Sequence, residues 1–215
     1  MLFGDPWLVH LRGWLMKPWL CLAVAVAFAV LLVGCEPQIS LFPLFTQDDK
    51  VFDKQLLGEW QIWSGTELKP GDTPGSIIFS ASKEAYTYDV RIPNFDEDHR
   101  TLSSEARLVK LGNYVFVDFG TPDVDKLPQI PYPAVEGHAF GRLTLEGDKG
   151  RIDLLNDEWV KDSTKAGKMS LAFQDASRVV LSAGTSDLRK FALEHAEDHG
   201  AFSQTYTLAR KKAAE

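Results

Sequence analysis

The feature that most constrains the fold of this chain is a series of short segments, rich in β-branched and aromatic residues, that recurs from residue 57 onward. Segments of this kind predict β-strands when turn residues separate them. The predicted strands are 57–63, 75–80, 86–92, 106–111, 114–119, 138–146, 151–155, 169–173, 178–182 and 202–209. Gly112-Asn113 and the Gly147–Gly150 stretch are typical hairpin turns, so we expect antiparallel sheet to dominate.

Two of these strands carry opposite patterns. Residues 114–119 (YVFVDF) are almost continuously apolar, which predicts a strand buried on both faces, whereas residues 86–91 alternate, which predicts a half-exposed one. The four prolines in 120–136 predict a long irregular loop. We therefore expect a mainly β domain that forms an antiparallel barrel or a strongly curved sheet.

One late α-helix is predicted before the last strand. Thr185 or Ser186 can cap it, Asp187 favours its positive end, and Gly200 suits the position after its end. Its apolar face comprises Leu188, Phe191, Ala192 and His195. The helix should pack on the sheet, and the core should contain Trp60, Phe79, Phe116, Phe140 and Phe191.

The first strand opens with Leu56-Leu57-Gly58-Glu59-Trp60, which resembles the Gly-x-Trp signature of lipocalin-type barrels. In those proteins this tryptophan closes one end of an eight-stranded cup, and a late helix precedes a short final strand. The resemblance covers residues 51–212 and implies that Arg210 packs over the Trp60 ring as a cation–π contact. The alternative is a β-rich domain in which Trp60 is simply a core residue.

The N-terminal region carries a run of fifteen residues without a charge, 19–33. This length is short for a hydrocarbon core of about 30 Å and matches the apolar region of an export signal, here expected to be a hydrophobic helix. Leu32-Val33-Gly34-Cys35 resembles the lipobox of bacterial lipoproteins, which implies cleavage before Cys35 and acylation of its thiol. The alternative is a retained membrane anchor.

These patterns divide the chain as follows. Residues 1–34 are the signal peptide, and the basic Met16-Lys17 start directly before the apolar run suggests that 1–15 are an extension of the true start. Residues 35–50 form a lipidated tether, 51–212 a single β-rich domain and 213–215 a tail. Glu36, which is not the aspartate that retains lipoproteins in the inner membrane, implies an outer-membrane protein facing the periplasm.

Removal of 34 of the 215 residues would change the net charge from −7 to −8. This acidic balance argues against nucleic acid as a partner and against electrostatic binding to anionic lipids, so the acyl chains must hold the protein at the membrane. With Cys21 removed and Cys35 acylated, the domain has no cysteine for a disulfide or a thiol nucleophile.

Few patterns indicate chemistry. No Gly-x-Ser-x-Gly elbow and no phosphate-binding glycine loop occurs, so we expect no cofactor and no catalytic residue. His195 and His199, four residues apart, are candidate metal ligands, although a half-buried structural role for His195 is the alternative. The acidic stretch 96–99 lacks the spacing of a calcium loop and is interpreted as a surface turn.

Trp63 and Trp159 are the candidate ligand-binding residues, with core packing as the alternative. The favoured function is non-catalytic binding of a small apolar ligand or lipid by a lipoprotein of the cell envelope. The alternatives are a structural or assembly lipoprotein that binds an envelope protein, and a metal-dependent enzyme that uses the two histidines.

Overall fold

The computed structural model describes residues 39–95, 97–124, 136–167, 171, 173–175 and 179–211. All of them lie within one compact unit, residues 37–215. The strands in chain order are β1 (Ile39–Ser40), β2 (Lys50–Val51), β3 (Gly58–Ser64), β4 (Gly75–Ala81), β5 (Thr87–Ile92), β6 (Leu102–Leu111), β7 (Tyr114–Phe119), β8 (Asp123–Val124), β9 (Ala139–Glu146), β10 (Lys149–Leu155), β11 (Phe173–Asp175), β12 (Val179–Leu181) and β13 (Phe202–Arg210). The helices among these residues are α1 (Asp157–Lys165), α2 (Thr185–Glu194) and a 3₁₀ turn (Lys54–Leu56).

Eight of the strands close into an antiparallel barrel. Their spatial order, β3-β4-β5-β6-β7-β9-β10-β13, is also their order along the chain, and β13 pairs with β3 to complete the circle. Gly112 and Gly147 make the tight turns of the β6–β7 and β9–β10 hairpins with φ of +58° and +61°, a region that glycine enters without strain. Each barrel strand is thus paired on both sides, which removes the exposed edges of an open sheet.

The predicted mainly β, antiparallel barrel is therefore confirmed. Every predicted strand overlaps an observed one, although 169–173 meets β11 only at Phe173. Sequence reasoning missed β1, β2 and β8, which have two residues each. They pair with residues more than fifteen positions away along the chain, so no local pattern marks them.

Side chains that alternate along the strands fill part of the barrel interior. We call this set the barrel core; it comprises Leu56, Trp60, Ile77, Phe79, Tyr88, Val90, Ala106, Leu108, Val117, Leu143, Ile152, Leu154 and Leu208. On β5, Tyr88 and Val90 are buried while Asp89 and Arg91 are exposed, which confirms the predicted half-exposed strand. The strand period of two therefore separates inside from outside.

A second apolar cluster lies on the outer face of the barrel. This outer core comprises Leu44, Val109, Leu111, Phe116, Phe140, Leu155, Val160, Leu171, Val179, Leu181, Ala183, Leu188, Phe191, Ala192, Ala196, Ala201 and Phe202. It joins the barrel to both helices and to a three-stranded sheet, β1-β12-β11. Because Val117 points inward and Phe116 outward, β7 is buried on both faces, as predicted.

The five predicted core aromatic residues are all buried, but they divide between the two cores. Trp60 and Phe79 lie in the barrel core, whereas Phe116, Phe140 and Phe191 lie in the outer core. The second core exists because the segment between β10 and β13 folds back on the barrel.

The prediction of a single late helix requires correction, because α1 precedes α2. Asn156 caps α1 by accepting a hydrogen bond from the Trp159 amide at 3.0 Å, and Asp157 lies in its first turn. In α2 the capping position is Gly184 rather than Thr185 or Ser186, and the helix ends at Glu194, six residues before Gly200. The Thr185 hydroxyl instead donates to the Pro43 carbonyl at 2.7 Å.

The segment predicted as a tether contributes to the domain from Ile39 onward. β1 pairs in parallel with β12, β2 pairs with β6, and the Leu44 side chain is fully buried in the outer core. Leu41 and Phe42 remain exposed. The predicted signal peptide, Cys35 and the 213–215 tail lie outside the described residues. Within the described residues, no helix is long and apolar enough to cross a membrane.

Candidate functional site

The two ends of the barrel differ in how they are filled. At the end where β3 begins, which we call the closed end, Trp60, Phe79 and Tyr88 are fully buried and occupy the interior. The Trp60 indole N–H donates to the Leu56 carbonyl at 2.8 Å, so its one polar atom is satisfied. This end has no room for a ligand.

Arg210 covers Trp60 at the closed end. Its guanidinium carbon lies 4.0 Å from the Trp60 ring centroid, which confirms the predicted cation–π contact. Nη1 donates to the Leu57 carbonyl at 2.8 Å, and Nη2 donates to the Gln55 carbonyl. Gly58 has φ of +115°, and a Cβ at this position would approach Arg210 Nη1 to 2.9 Å. The backbone conformation therefore favours glycine here, and a Cβ at this position would also displace the end of the Arg210 side chain.

Tyr88 connects the closed end to the segment that precedes the barrel. Its ring stacks on Phe52 with centroids 4.7 Å apart, and its hydroxyl accepts from the Asp53 amide at 2.7 Å and donates to the Asp53 carbonyl at 3.0 Å. Burial raises the pKa of the Tyr88 phenol to about 12. The stacking and the two hydrogen bonds therefore tie the closed end to the segment that precedes the barrel.

The opposite end, which we call the open end, contains a cavity of about 420 Å³. Inward-facing residues near the open ends of the strands form its walls. They include Ile62, Ile77, Val90, Ile92, Ile152 and Leu154. Phe119 and Tyr206 also line it, and its few polar neighbours include Ser104, Thr121 and His138. An apolar, concave site of this volume falls within the range of small-molecule pockets.

His138 lies at the entrance, since it lines both this cavity and an adjoining groove of about 530 Å³. Its Nδ1 is 2.7 Å from Asp118 Oδ1, and the other Asp118 oxygen accepts from the Leu44 amide at 2.6 Å. The Asp118 side chain is only 1% exposed. A buried carboxylate bonded in this way orients the imidazole and leaves Nε2 as the ring nitrogen available to another group.

The adjoining groove is charged. Arg107 Nη2 lies 2.8 Å from Glu84 and 2.9 Å from Glu105, and its guanidinium carbon lies 4.9 Å from the Phe45 ring centroid. Glu136 also borders the groove. The entrance thus joins an apolar interior to a polar and predominantly acidic exterior.

A second buried carboxylate, Asp153, lies on the outer face of β10. Arg142 and Arg151 pair with it at 3.1 Å and 2.9 Å, and the Thr205 hydroxyl donates to it at 2.7 Å. Its charge is balanced within the fold, and it does not line the cavity.

The candidate ligand-binding tryptophans lie away from the cavity. Trp63 lies on the outward-facing side of β3 and is partly exposed. Trp159 packs in the outer core, where its ring centroid lies 6.1 Å from that of Phe191 and 5.0 Å from that of His195. Neither residue lines either of the two sites described above.

The two candidate metal ligands are not on one helix face. His195 is the C-cap residue directly after α2 and packs between aromatic rings, whereas His199 lies in the turn beyond it. Within the described part of the chain, no group of three or more histidine, cysteine, aspartate or glutamate side chains is placed to hold a metal. In the acidic stretch 96–99, Asp96 is outside the described residues, and Glu97, Asp98 and His99 form an exposed turn.

Sequence reasoning did not identify His138 and Asp118 as a pair. A signal was present in Asp118, the one charged residue of the apolar run YVFVDF, because a carboxylate in a strand buried on both faces needs a partner. The identity of that partner, 20 residues away, depends on the pairing of β7 with the beginning of β9.

Comparison with known proteins adds no relative. No protein-family model matches the chain, and neither a curated protein nor a solved structure does.

Proposed function

We propose that this protein is a lipoprotein of the cell envelope that binds a small apolar ligand in the open end of its barrel. The observation that carries the proposal is the cavity of about 420 Å³, which has apolar walls and lies next to a fully packed closed end. A small barrel has room either for packed side chains or for one small ligand. Here side chains fill the closed end, and the open end contains the cavity. A molecule that is removed from water in this cavity would gain about 25 cal/mol for each Å² of apolar surface it buries.

A lipocalin-like architecture supports this proposal. The strands run in an up-and-down order and close through pairing of the first and last barrel strands, and Arg210 stacks on Trp60 at the closed end. In this interpretation Gly58 and Trp60 form the Gly-x-Trp signature that closes the cup. Residues 157–194, with both helices, are an insertion before the last strand.

The proposed location rests on sequence. The uncharged run 19–33 and Leu32-Val33-Gly34-Cys35 support export and acylation, and Glu36 supports the outer membrane. Acyl chains on Cys35 would hold the binding domain at the membrane surface, where apolar molecules are concentrated.

The test uses the compact unit 37–215, which contains both cores and lacks the apolar run 19–33. Titration with the neutral apolar dye Nile red should give saturable binding, and native mass spectrometry should detect co-purified molecules. Ile92→Trp, which places a large ring in the cavity, should weaken dye binding by about tenfold or more.

Arg91→Trp is the matched control, because its side chain is the exposed neighbour on the same strand. It should leave dye binding unchanged. Equal affinity in the two variants, or no saturable binding in the unmodified protein, would contradict the proposal and favour an envelope protein as the partner.

A further inference from the structure

His138 is the polar group best placed to contact a ligand that fills the cavity. It borders the apolar interior on one side and the groove on the other, and its side chain is 12% exposed. Asp118 and the backbone hydrogen bonds between Ser40 and His138, of 2.7 and 2.8 Å, hold it in place. A polar head on an apolar ligand would therefore meet a fixed imidazole.

Two other polar side chains that line the cavity, Thr121 and Ser104, are engaged within the protein. Thr121 Oγ1 accepts from the Gly137 amide at 2.7 Å and donates to the Gly137 carbonyl at 3.1 Å. The Ser104 hydroxyl donates to the Gly120 carbonyl at 2.8 Å. Among the described residues, no hydrogen bond engages His138 Nε2. In the tautomer that directs Nδ1–H to Asp118, Nε2 is an acceptor, so it favours a ligand group that donates a hydrogen bond.

The charges around the entrance disfavour an anionic head. Glu84 and Glu105 already pair with Arg107, and Lys50 lies 3.8 Å from Glu84. With Glu136 and Asp118, the described residues of this region include four carboxylates. They include two cations, Arg107 and Lys50. A carboxylate or phosphate placed at His138 would therefore meet a net negative surrounding.

We propose that the ligand is an amphiphile with an apolar chain in the cavity and an uncharged hydroxyl head that donates to His138 Nε2. This inference rests on the proposed function, since it assigns the head of the ligand whose body occupies the cavity. The cavity lies in the lower part of the volume range of small-molecule pockets, which favours a single chain over a two-chain lipid.

The experiment compares three molecules that share one chain and differ in the head. Dodecan-1-ol has a hydroxyl donor, methyl dodecanoate has acceptors only, and dodecanoate is anionic at pH 8. Displacement of Nile red from the unit 37–215 is measured with each molecule, below the micelle concentration of dodecanoate and below the solubility limits of the two neutral molecules. We expect dodecan-1-ol to bind about tenfold more tightly than either of the others, the gain of one buried hydrogen bond.

Two variants separate the head contact from the cavity. His138→Phe keeps a ring but removes the acceptor, so the preference for the alcohol over the methyl ester should disappear. Because His138 lines the cavity and pairs with Asp118, Nile red is titrated into the same variant, and the affinities of the three molecules are compared relative to the dye. Glu136→Lys alters an exposed position without touching either core, and it should increase the affinity for dodecanoate severalfold. Glu146→Lys makes the same charge change at the closed end and is the matched control.

Tighter binding of dodecanoate than of dodecan-1-ol, or an alcohol preference that survives in His138→Phe, would overturn the inference. Equal binding of all three molecules would refute the head contact but leave the apolar site in place. Failure of Nile red and of all three molecules to bind would refute the proposed function itself, and the inference with it.

Discussion

At the scale of single residues, Gly58 and Arg210 approach each other closely at the closed end of the barrel. Gly58 adopts a φ that other residues rarely adopt, and it does so directly against the arginine that covers Trp60. A larger residue at this position would lower the free energy of unfolding in two ways, through backbone strain and through contact with Arg210. The two effects can be measured separately, because other glycines also have a positive φ but have no atom near the position of an added Cβ.

Gly58→Ala should lower the free energy of unfolding by about 1–3 kcal/mol, because it adds backbone strain and displaces Arg210. Gly71→Ala is the control, since Gly71 has φ of +94° and a Cβ added there would meet no other atom within 4 Å. It should cost only the backbone term, about 1 kcal/mol. Urea unfolding followed by tryptophan fluorescence measures both. Equal losses would show that the contact with Arg210 is unimportant.

Tyr88 should make stability depend on pH in the alkaline range. Its pKa is about 12 in the folded protein against 10.0 for an ordinary tyrosine, so the folded state holds this proton to higher pH. The resulting stabilisation is complete below about pH 10 and is lost as the pH rises from about 10 to about 12, a loss on the order of 2 kcal/mol.

The comparison with Tyr88→Phe isolates this group. The variant lacks the ionisable hydroxyl, so the difference in unfolding free energy between the two proteins should shrink from pH 9 to pH 11.5. Chemical denaturation at both pH values tests this. A difference that stays constant across the range would contradict the assigned burial effect.

At the scale of elements, β7 and β5 show how tertiary packing uses the strand pattern. β7 has the barrel core on one side and the outer core on the other, whereas β5 has one face exposed. Both arrangements follow from the residues of the strands. The helices and the small sheet cover the outer face of β7, and they come from residues far away along the chain.

Alanine substitution should reveal this difference. Phe116→Ala, on the outward face of β7, should destabilise the protein by about 3–5 kcal/mol, because Phe116 is fully buried and contacts Phe202. Asp89→Ala, on the exposed face of β5, should change stability by less than about 0.5 kcal/mol. Thermal or urea unfolding measures both values. A small effect of Phe116→Ala would mean that the outer core is not tightly packed around this ring.

At the scale of the whole molecule, the proposed function combines two parts that lie in different regions of the chain. The binding cavity belongs to the barrel, and the proposed anchor belongs to a sequence motif outside the described residues. Together the two proposals place the ligand site beside a membrane in which the acyl chains of Cys35 are embedded.

Cys35→Ser should abolish incorporation of labelled palmitate and shift the protein from the membrane fraction to the soluble fraction in a bacterial host with lipoprotein processing. Cys21→Ser is the control, because Cys21 lies within the apolar run and should be removed with it. Labelling that persists in Cys35→Ser, or that is lost only in Cys21→Ser, would contradict the assignment of the anchor.

The sequence by itself determined the type of fold and much of its interior. The strand period of two placed Trp60 and Phe79 inside, the turn glycines specified two hairpins, and the apolar run 114–119 required cover on both faces. The contact of Arg210 with Trp60 was also predictable, through the resemblance to lipocalin-type barrels. These features depend on neighbours along the chain or on one recognisable motif.

Only the tertiary structure decided where the candidate ligand site lies. The cavity results from strand ends brought together by barrel closure, and the pairing of His138 with Asp118 joins residues 20 positions apart. The interpretation of Trp63 and Trp159 as ligand contacts relied on residue type alone. Trp63 does not meet the cavity because it lies on the outward-facing side of β3, and Trp159 does not because it packs in the outer core. A pocket is a space between elements, so the physical information that defines it lies in their packing and not in any single segment.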